Sequence, residues 1–344
     1  MLLEKLCMAP GVPGQEGAIR DMLREAIAPL CEDIRTDALG SLIARQKGGN
    51  PGGPKVLLCA HMDEVGLIIR AARDDGLLSF FAPGIDPRVL CSKRVKIGEK
   101  AVPGVIGCKA IHLQSPAERQ QALKLSNLYI DIGCTTRAAA EKLVSPGDSA
   151  VFDTVYEAFG DGLIKAKAID DRGGCASIVE ILATPYPDIE LWVAFTTQEE
   201  IGLRGAVAVS GALTPDIAIV LECTSAGDVG EAEVHEEVCC VGEGPAISFM
   251  DRASIANKAV YQALIAAAQR TGKPWQIKRF ISGGNDAGAL QYRHGPVATG
   301  VVSVPCRYIH SPASVCSLAD WQGQHALLTE FLLHDAVTAA KGAF

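Results

Sequence analysis

Positive charge and aromatic side chains are both scarce in this chain of 344 residues. It contains 32 Lys and Arg against 40 Asp and Glu, for a formal net charge of -8, and Phe, Trp and Tyr make up only 5% of it. No segment carries the basic patch with which proteins bind nucleic acid or an anionic membrane. We therefore expect neither nucleic acid nor membrane as a partner, and nothing indicates an aromatic pocket.

Long apolar runs are also missing. No window reaches the roughly 18 uninterrupted apolar residues of a membrane-spanning helix. The N-terminal segment MLLEKLCMAPGVPG carries charges where a signal peptide has its apolar core. These absences predict a cytoplasmic protein.

The cysteines lack the spacing of a disulfide framework. The chain has 12 of them, scattered singly through apolar stretches, and Cys239 and Cys240 are adjacent instead of two residues apart. A structural zinc site or a thiol-exchange motif needs the wider spacing. We expect reduced thiols that act as small buried hydrophobic side chains.

Hydrophobic residues make up 48% of the chain, which is enough for a large core and two domains. Extended apolar runs alternate with helical patterns, as is typical of an α/β sandwich around a central mixed, largely parallel sheet. The predicted strands are residues 41–45, 55–60, 65–71, 190–196, 217–221, 246–250 and 298–304. The predicted helices are residues 16–30, 173–182, 205–210, 257–271 and 318–340.

Residues 73–159 have a different pattern. Short runs rich in Val and Ile are broken by Gly and Pro, and only residues 137–143 have a helical pattern. We predict a small β-rich domain at 73–159, inserted into a discontinuous catalytic domain formed by 1–72 and 160–344. The two parts of the catalytic domain must meet, because candidate metal ligands lie on both sides of the insertion.

His61 and Asp170 are the first of these candidates. His61 ends an apolar run, and Asp63 is expected to face the same way because side chains alternate along a strand, so that it could accept a hydrogen bond from the imidazole. Taken alone, such a pair is more often an ordinary hydrogen-bonded pair. Asp170 and Asp171 stand where an extended run meets a helix, and a helix cap neutralised by Arg172 is the simpler explanation for Asp171.

Four more candidates follow three other apolar strands. Glu199 and Glu200 are adjacent carboxylates, which repel each other unless a cation or a proton relieves them, although a solvated acidic turn remains an alternative. Glu222 follows residues 217–221, and His310 follows residues 298–304, where a lone histidine is usually structural. Two histidines and several carboxylates together suit zinc, cobalt or manganese. Five ligands exceed the needs of one ion, whereas two ions sharing a bridging carboxylate would each keep an open position.

Six motifs, in order along nearly the whole chain, resemble those of the tetrahedral (deblocking and glutamyl) aminopeptidases, which are dinuclear metallopeptidases with a phosphorylase/hydrolase-like zinc-peptidase fold. They are HMDEVG at His61, KAIDDRGG at Lys167, TQEEIGLRGA at Thr197, LECTSAGD at Leu221, SGGNDAG at Ser282 and VPCRYIHSP at Val304.

The resemblance implies a metal-dependent aminopeptidase that acts on short peptides. His61, Asp170 and Glu222 would hold one divalent ion, and Asp170, Glu200 and His310 would hold the other, with Asp170 as the bridge. Zinc is the first expectation for both ions, with cobalt or manganese as alternatives.

The resemblance also implies roles outside the ligand set. Glu199 would be the general base, and the carboxylate of Asp63 would contact His61 on the side away from the metal. The inserted β-rich domain would be a PDZ-like dimerisation module, so that the chain forms a homo-oligomer of dimers assembled into a dodecamer.

Two positions depart from many relatives, and other functions remain open. Glu222 stands where they carry Asp, which preserves the ligand chemistry. Asn285 stands where they carry Thr, in a glycine-rich loop expected near the substrate.

The alternative functions are a related dinuclear metallo-carboxypeptidase or deacylase and an inactive shell-forming homologue. A glycoside hydrolase that pairs Glu199 with Glu200 is disfavoured, since its carboxyls should flank the bond at roughly 5 to 9.5 Å without any metal.

Overall fold

The computed structural model describes residues 1–230 and 237–343, which form two β-sheets and the helices around them. The strands are β1 Cys31–Thr36, β2 Leu42–Gln46, β3 Lys55–His61, β4 Leu67–Ala72, β5 Leu78–Phe81, β6 Arg94–Ile97, β7 Val102–Cys108, β8 Leu128–Asp131, β9 Ser149–Phe152, β10 Glu157–Phe159, β11 Leu163–Ala166, β12 Glu190–Thr196, β13 Ile217–Ser225, β14 Ala246–Ser248, β15 Gln276–Ile277, β16 Ala298–Arg307 and β17 Ser314–Ser317.

The helices separate many of these strands. They are α1 Leu2–Met8, α2 Gly17–Ile27, α3 Pro116–Arg119, α4 Arg137–Ala140, α5 Ile169–Leu182, α6 Arg204–Ala212, α7 Lys258–Thr271, α8 Ala287–Leu290, α9 Leu318–His334 and α10 Ala336–Gly342, with short 3-10 helices at Pro87–Val89, Ile111–Leu113 and Leu125–Asn127.

The larger sheet is mixed, as the sequence predicts. Its order is β1-β2-β12-β3-β13-β16-β17-β11-β10, and β14 and β15 extend it beside β16. The four central strands β12, β3, β13 and β16 are parallel, as is the pair β14–β15, and the other pairs are antiparallel. The prediction of a largely parallel sheet is therefore correct only for its centre. The central strands are almost entirely buried, which explains their continuous apolar runs.

Helices cover both faces of this sheet. Leu58 of β3 packs into a core with α1, α2, α5, α7, α9 and α10, whereas the neighbouring Leu57 packs into a second core with α6 and α8. Local signals set the helix ends: the side chain of Asn257 accepts hydrogen bonds at the start of α7, and Gly272, at φ +63°, ends it.

The predicted helix at 318–340 is wrong in one respect, because the chain forms two helices there. α9 ends at His334, and Asp335 lies between the two helices at φ -117° and ψ -22°. Its carboxylate pairs with Arg270 of α7, a contact between distant parts of the chain that apolar periodicity does not reveal.

The smaller sheet is a closed barrel of six short strands in the order β4-β5-β8-β7-β6-β9. It has a core of its own, which includes Leu67, Leu78, Ile106 and Ile130. β4 belongs to the barrel although the sequence places it in the predicted catalytic part, and β10 pairs with β11 in the larger sheet. Strands of the two sheets have similar apolar runs, so the sequence alone does not show to which sheet β4 and β10 belong. The limits of the inserted domain at 73–159 stay a prediction.

None of the helices in the described residues is long and apolar enough to cross a membrane.

Candidate metal centre

The candidate site lies at the carboxyl ends of the parallel strands, where open α/β sheets place their ligands. His61 is the last residue of β3, and Glu222 lies within β13. Glu200 and His310 follow β12 and β16 after short connections, and Asp170 lies in the first turn of α5. Five segments of the chain thus bring the five predicted metal ligands together.

Asp170 lies between the two histidines. Its Oδ1 is 3.3 Å from Nε2 of His61, and its Oδ2 is 3.3 Å from Nε2 of His310. Each histidine also faces a second carboxylate: Nε2 of His61 is 3.9 Å from Glu222, and Nε2 of His310 is 3.4 Å from Glu200. The arrangement consists of two donor sets that share one aspartate.

The carboxylates of the cluster have unused acceptor atoms. Oδ1 of Asp170, Oε1 of Glu200 and Oε1 of Glu222 are buried and accept no hydrogen bond from any described residue. Buried polar atoms in folded proteins are nearly always satisfied, so three orphaned oxygens in one cluster need an explanation. A divalent cation would supply one.

Electrostatics lead to the same conclusion. Burial and the nearby Asp170 raise the pKa of Glu200 to about 7. Burial and Asp171 raise the pKa of Glu222 well above its usual value, and burial does the same for Glu199. Carboxylates this close cannot all be ionised in a dry environment without a counter-ion. The mixed nitrogen and oxygen donors therefore fit a divalent metal ion.

Asp63 lies behind His61, but its contacts differ from the prediction. Nδ1 of His61 is 3.0 Å from the backbone carbonyl of Asp63 and 3.6 Å from its carboxylate, so the carbonyl is the hydrogen-bond partner. The fully buried carboxylate accepts the backbone N–H groups of Glu199 at 3.0 Å and Glu200 at 3.1 Å. The expected alternation fails because β3 already ends at His61. Asp63 thus holds the segment that carries the paired glutamates.

Asp171 caps the regular part of α5, which begins after non-helical backbone at Asp170 and Asp171, as the helix-cap explanation expects. Its Oδ1 accepts the N–H of Gly174 at 2.9 Å, and its Oδ2 accepts the N–H of His61 at 3.2 Å. It also lies close enough to His61 and Glu222 to form a possible ligand group with them. Since both of its oxygens already accept N–H groups, Asp170 has the freer donor atoms. The peptide bond between Asp170 and Asp171 is cis.

Arg172 does not neutralise Asp171, contrary to the prediction. Its buried guanidinium donates to the backbone carbonyls of Leu6, Ala9, Gly11 and Met62. It also lies 3.6 Å from Glu64, which pairs with Lys167 at 2.7 Å. A buried charge network therefore ties the N-terminal segment to the floor of the site.

Glu64→Gln is expected to destabilise the fold by about 3–5 kcal/mol, because it leaves the buried charge of Lys167 without its partner. Urea unfolding measures the change. Glu157→Gln is the matched control, since Glu157 pairs with Lys165 at the surface and its loss should cost ~1 kcal/mol or less. Equal unfolding midpoints for the two variants would contradict the expected role of the network.

A cavity of about 270 Å³ opens beside the cluster. His61, Asp170, Glu199, Glu222 and His310 form its metal-site wall. Its remaining lining consists of Cys223, Thr224, Ser225, Lys278, Ser282, Gly283, Gly284, Asn285, Ser303 and Ile309. This volume is at the lower end of ligand pockets, so a small group is the natural occupant.

Asn285 lines the cavity, as expected, but its polar atoms are already used. Its Nδ2 donates to Asp251 at 2.8 Å, and its Oδ1 accepts the N–H of Ala287 at 3.0 Å. Its neighbour Asp286 is completely buried and accepts a hydrogen bond from Thr196. The glycine-rich motif signalled this loop, but nothing in the sequence showed which of its side chains face the ligand.

Lys278 is the residue that sequence reasoning missed. It lies four residues before the motif SGGNDAG at Ser282. Its side chain is buried, at 6% exposed, and donates to the carbonyl of Ser282 at 3.0 Å. Among the described residues, it is the only lysine or arginine that lines this cavity.

Comparisons with known proteins identify the family of this chain. Residues 40–327 match the family model of the M42 glutamyl aminopeptidases. A relative from Acetivibrio thermocellus is 39% identical over 333 residues, which are 96% of this chain and 97% of the relative.

Solved structures are similar over the whole length. The TET aminopeptidase of a marine sediment Thaumarchaeota archaeon superimposes with a TM-score of 0.95 at 30% identity, covering 100% of this chain and 98% of that one. The TET1 peptidase of Pyrococcus horikoshii, described as assembling into a tetrahedron or a large octahedral shell, gives a TM-score of 0.84 at 30% identity and covers 97% and 98%. The chain belongs to the M42 glutamyl aminopeptidase family of peptide hydrolases.

Proposed function

We propose that this protein is an aminopeptidase that removes N-terminal residues from short peptides with the help of two divalent metal ions. The observation that carries the proposal is the position of Asp170 between two histidines, each with a second carboxylate of its own. His61, Asp170 and Glu222 would hold one ion, and Asp170, Glu200 and His310 the other. The donor set suits zinc first, and cobalt or manganese as alternatives.

The reaction divides between the ions and the protein. Bound ions would supply Lewis acidity, which polarises the scissile carbonyl and makes a water molecule more acidic. Glu199 lines the cavity next to the ligands. It takes a proton from the water that attacks the carbonyl and returns it to the departing amine. Burial raises the pKa of Glu199, which makes the carboxylate a stronger base than a free glutamate.

Asp63 is the positioning residue for this base. Because it binds the backbone N–H groups of Glu199 and Glu200, it fixes the base relative to a ligand of the metal site. The small cavity has room for one residue at the end of a peptide, which favours exopeptidase over endopeptidase action.

Lys278 supports a preference for acidic N-terminal residues. Among the described residues that line the cavity it is the only lysine or arginine, and the lining outside the metal-site wall is otherwise uncharged. A substrate carboxylate would pair with Lys278, whereas an N-terminal lysine or arginine would be repelled.

The barrel supports a further structural proposal. With its own core it suits the predicted inserted domain at 73–159, PDZ-like in kind, between the two parts 1–72 and 160–344 of a catalytic domain. The shell assembly of the Pyrococcus horikoshii peptidase supports a homo-oligomer here, with dimers joining into a dodecamer.

Hydrolysis of aminoacyl p-nitroanilides by metal-stripped protein tests the function. Added zinc, cobalt or manganese is expected to restore cleavage, and acetylation of the substrate amine is expected to abolish it. Cleavage that requires neither an added metal ion nor a free substrate amine would contradict the proposal. Metal-restored release of C-terminal residues or of acyl groups instead would favour the carboxypeptidase or deacylase alternative, and no activity with any ion would favour an inactive shell protein.

A further inference from the structure

The two histidines of the metal centre are supported in the same way but from different parts of the fold. Nδ1 of His61 is 3.0 Å from the backbone carbonyl of Asp63, two residues along the chain. Nδ1 of His310 is 3.2 Å from the backbone carbonyl of Gly84, which lies 226 residues away, in the barrel. In both cases a carbonyl on Nδ1 leaves Nε2 directed at the carboxylates of the site.

The barrel determines where the carbonyl of Gly84 points. Gly84 lies in the loop that follows β5, and its neighbours Ala82 and Ile85 are both buried in the barrel core. Gly84 itself has a φ of +71°, a conformation that other residues rarely adopt. A methyl group added to Gly84 would lie 3.7 Å from both Nδ1 of His310 and Oε2 of Glu200, so the loop lies beside two ligands of the same proposed ion.

His310 needs such support more than His61 does. The side chain of His61 is 1% exposed and enclosed by packing, whereas the side chain of His310 is 39% exposed. The backbone of His310 also has a φ of +56°, and a non-glycine residue persists in this region only when its surroundings hold it there. Packing alone therefore leaves the orientation of the His310 ring weakly fixed.

We propose that Gly84 is a positioning residue for the metal centre, acting through its carbonyl on His310, so that the barrel completes the site of one of the two ions. The inference rests on the proposed metal-dependent function. A carbonyl that accepts the second N–H of a ligating histidine fixes the tautomer and the ring orientation and makes the ligand more basic. Losing such a partner typically weakens metal affinity 10- to 100-fold.

Zinc titration of the metal-free, full-length protein against a competing chromophoric chelator tests this inference. Wild type is expected to bind two ions. Gly84→Ala strains the backbone without a steric clash. It is expected to weaken the binding of one ion about 10-fold or more and to leave the affinity for the ion held by His61 unchanged. Gly133→Ala is the matched control, because Gly133 lies in the same barrel at a φ of +78° with no atom within 4 Å of the added methyl.

A second pair of variants tests the role of the Gly84 carbonyl if Gly84→Ala does not fold. Ile85→Ala and Ile130→Ala both truncate the barrel core, but only Ile85 adjoins the carbonyl. Weaker binding of one ion in Ile85→Ala alone supports the inference. The inference would be overturned if wild type binds two ions and each test variant, Gly84→Ala or Ile85→Ala, binds them as tightly as its control variant. That result would leave the proposed function intact. Failure of wild type to bind zinc would overturn the proposed function itself.

Discussion

Glu199→Gln is expected to lower kcat/KM for peptide substrates by about 10²- to 10⁴-fold, the usual contribution of general acid–base catalysis. The glutamine side chain has almost the same shape, but it can neither take a proton from water nor return one to the amine. Glu199 lies in the cavity beside the proposed ligands without belonging to either donor set. Its replacement should therefore leave the metal content unchanged.

The measurement pairs steady-state kinetics with metal analysis of the purified variant. Glu25→Gln is the control, because Glu25 is an exposed glutamate on α2 far from the site in the sequence, and it should keep full activity. Retained activity in Glu199→Gln would place the base elsewhere. Loss of one ion together with the activity would instead make Glu199 a ligand.

The parallel sheet explains why three of the proposed ligands could be expected from the sequence to lie at one edge. His61, Glu200 and Glu222 each follow or end a continuous apolar run, and the carboxyl ends of parallel strands meet at one edge. Local sequence therefore carried the information about these positions. The central mixed sheet was predictable for the same reason, since buried strands read as unbroken apolar segments.

Features that depend on contacts between distant segments could not be predicted in this way. The partner of Arg172 is Glu64 and a set of backbone carbonyls, although Asp171 is its neighbour in the chain. The carboxylate of Asp63 serves the backbone of Glu199 because the strand has already ended. Loop direction and strand ends arise from tertiary packing, on which periodicity and motif spacing give no information.

Lys278 shows how the same limit applies to substrate choice. It is separated from the recognised motif by three residues, and its sequence context, a lysine before an arginine, is typical of a solvated turn. In the fold it is instead buried and lines the cavity, and burial lowers its pKa. A buried cation facing a ligand cavity has a strong effect on which ligands bind, because little solvent screens it.

Lys278→Met is expected to reduce kcat/KM for glutamyl and aspartyl p-nitroanilides about 10- to 100-fold, in line with the ~1.5–3 kcal/mol of a hydrogen bond to a charged group. Cleavage of leucyl p-nitroanilide should change little, because methionine keeps the length and apolar stem of lysine. Lys278→Glu should reverse the preference towards lysyl substrates, while Lys273→Met, at an exposed lysine between α7 and β15, should change nothing. The ratio of glutamyl to leucyl cleavage is the decisive quantity, since it cancels any general loss of active protein. A ratio that stays the same in Lys278→Met would show that another part of the cavity selects the N-terminal residue.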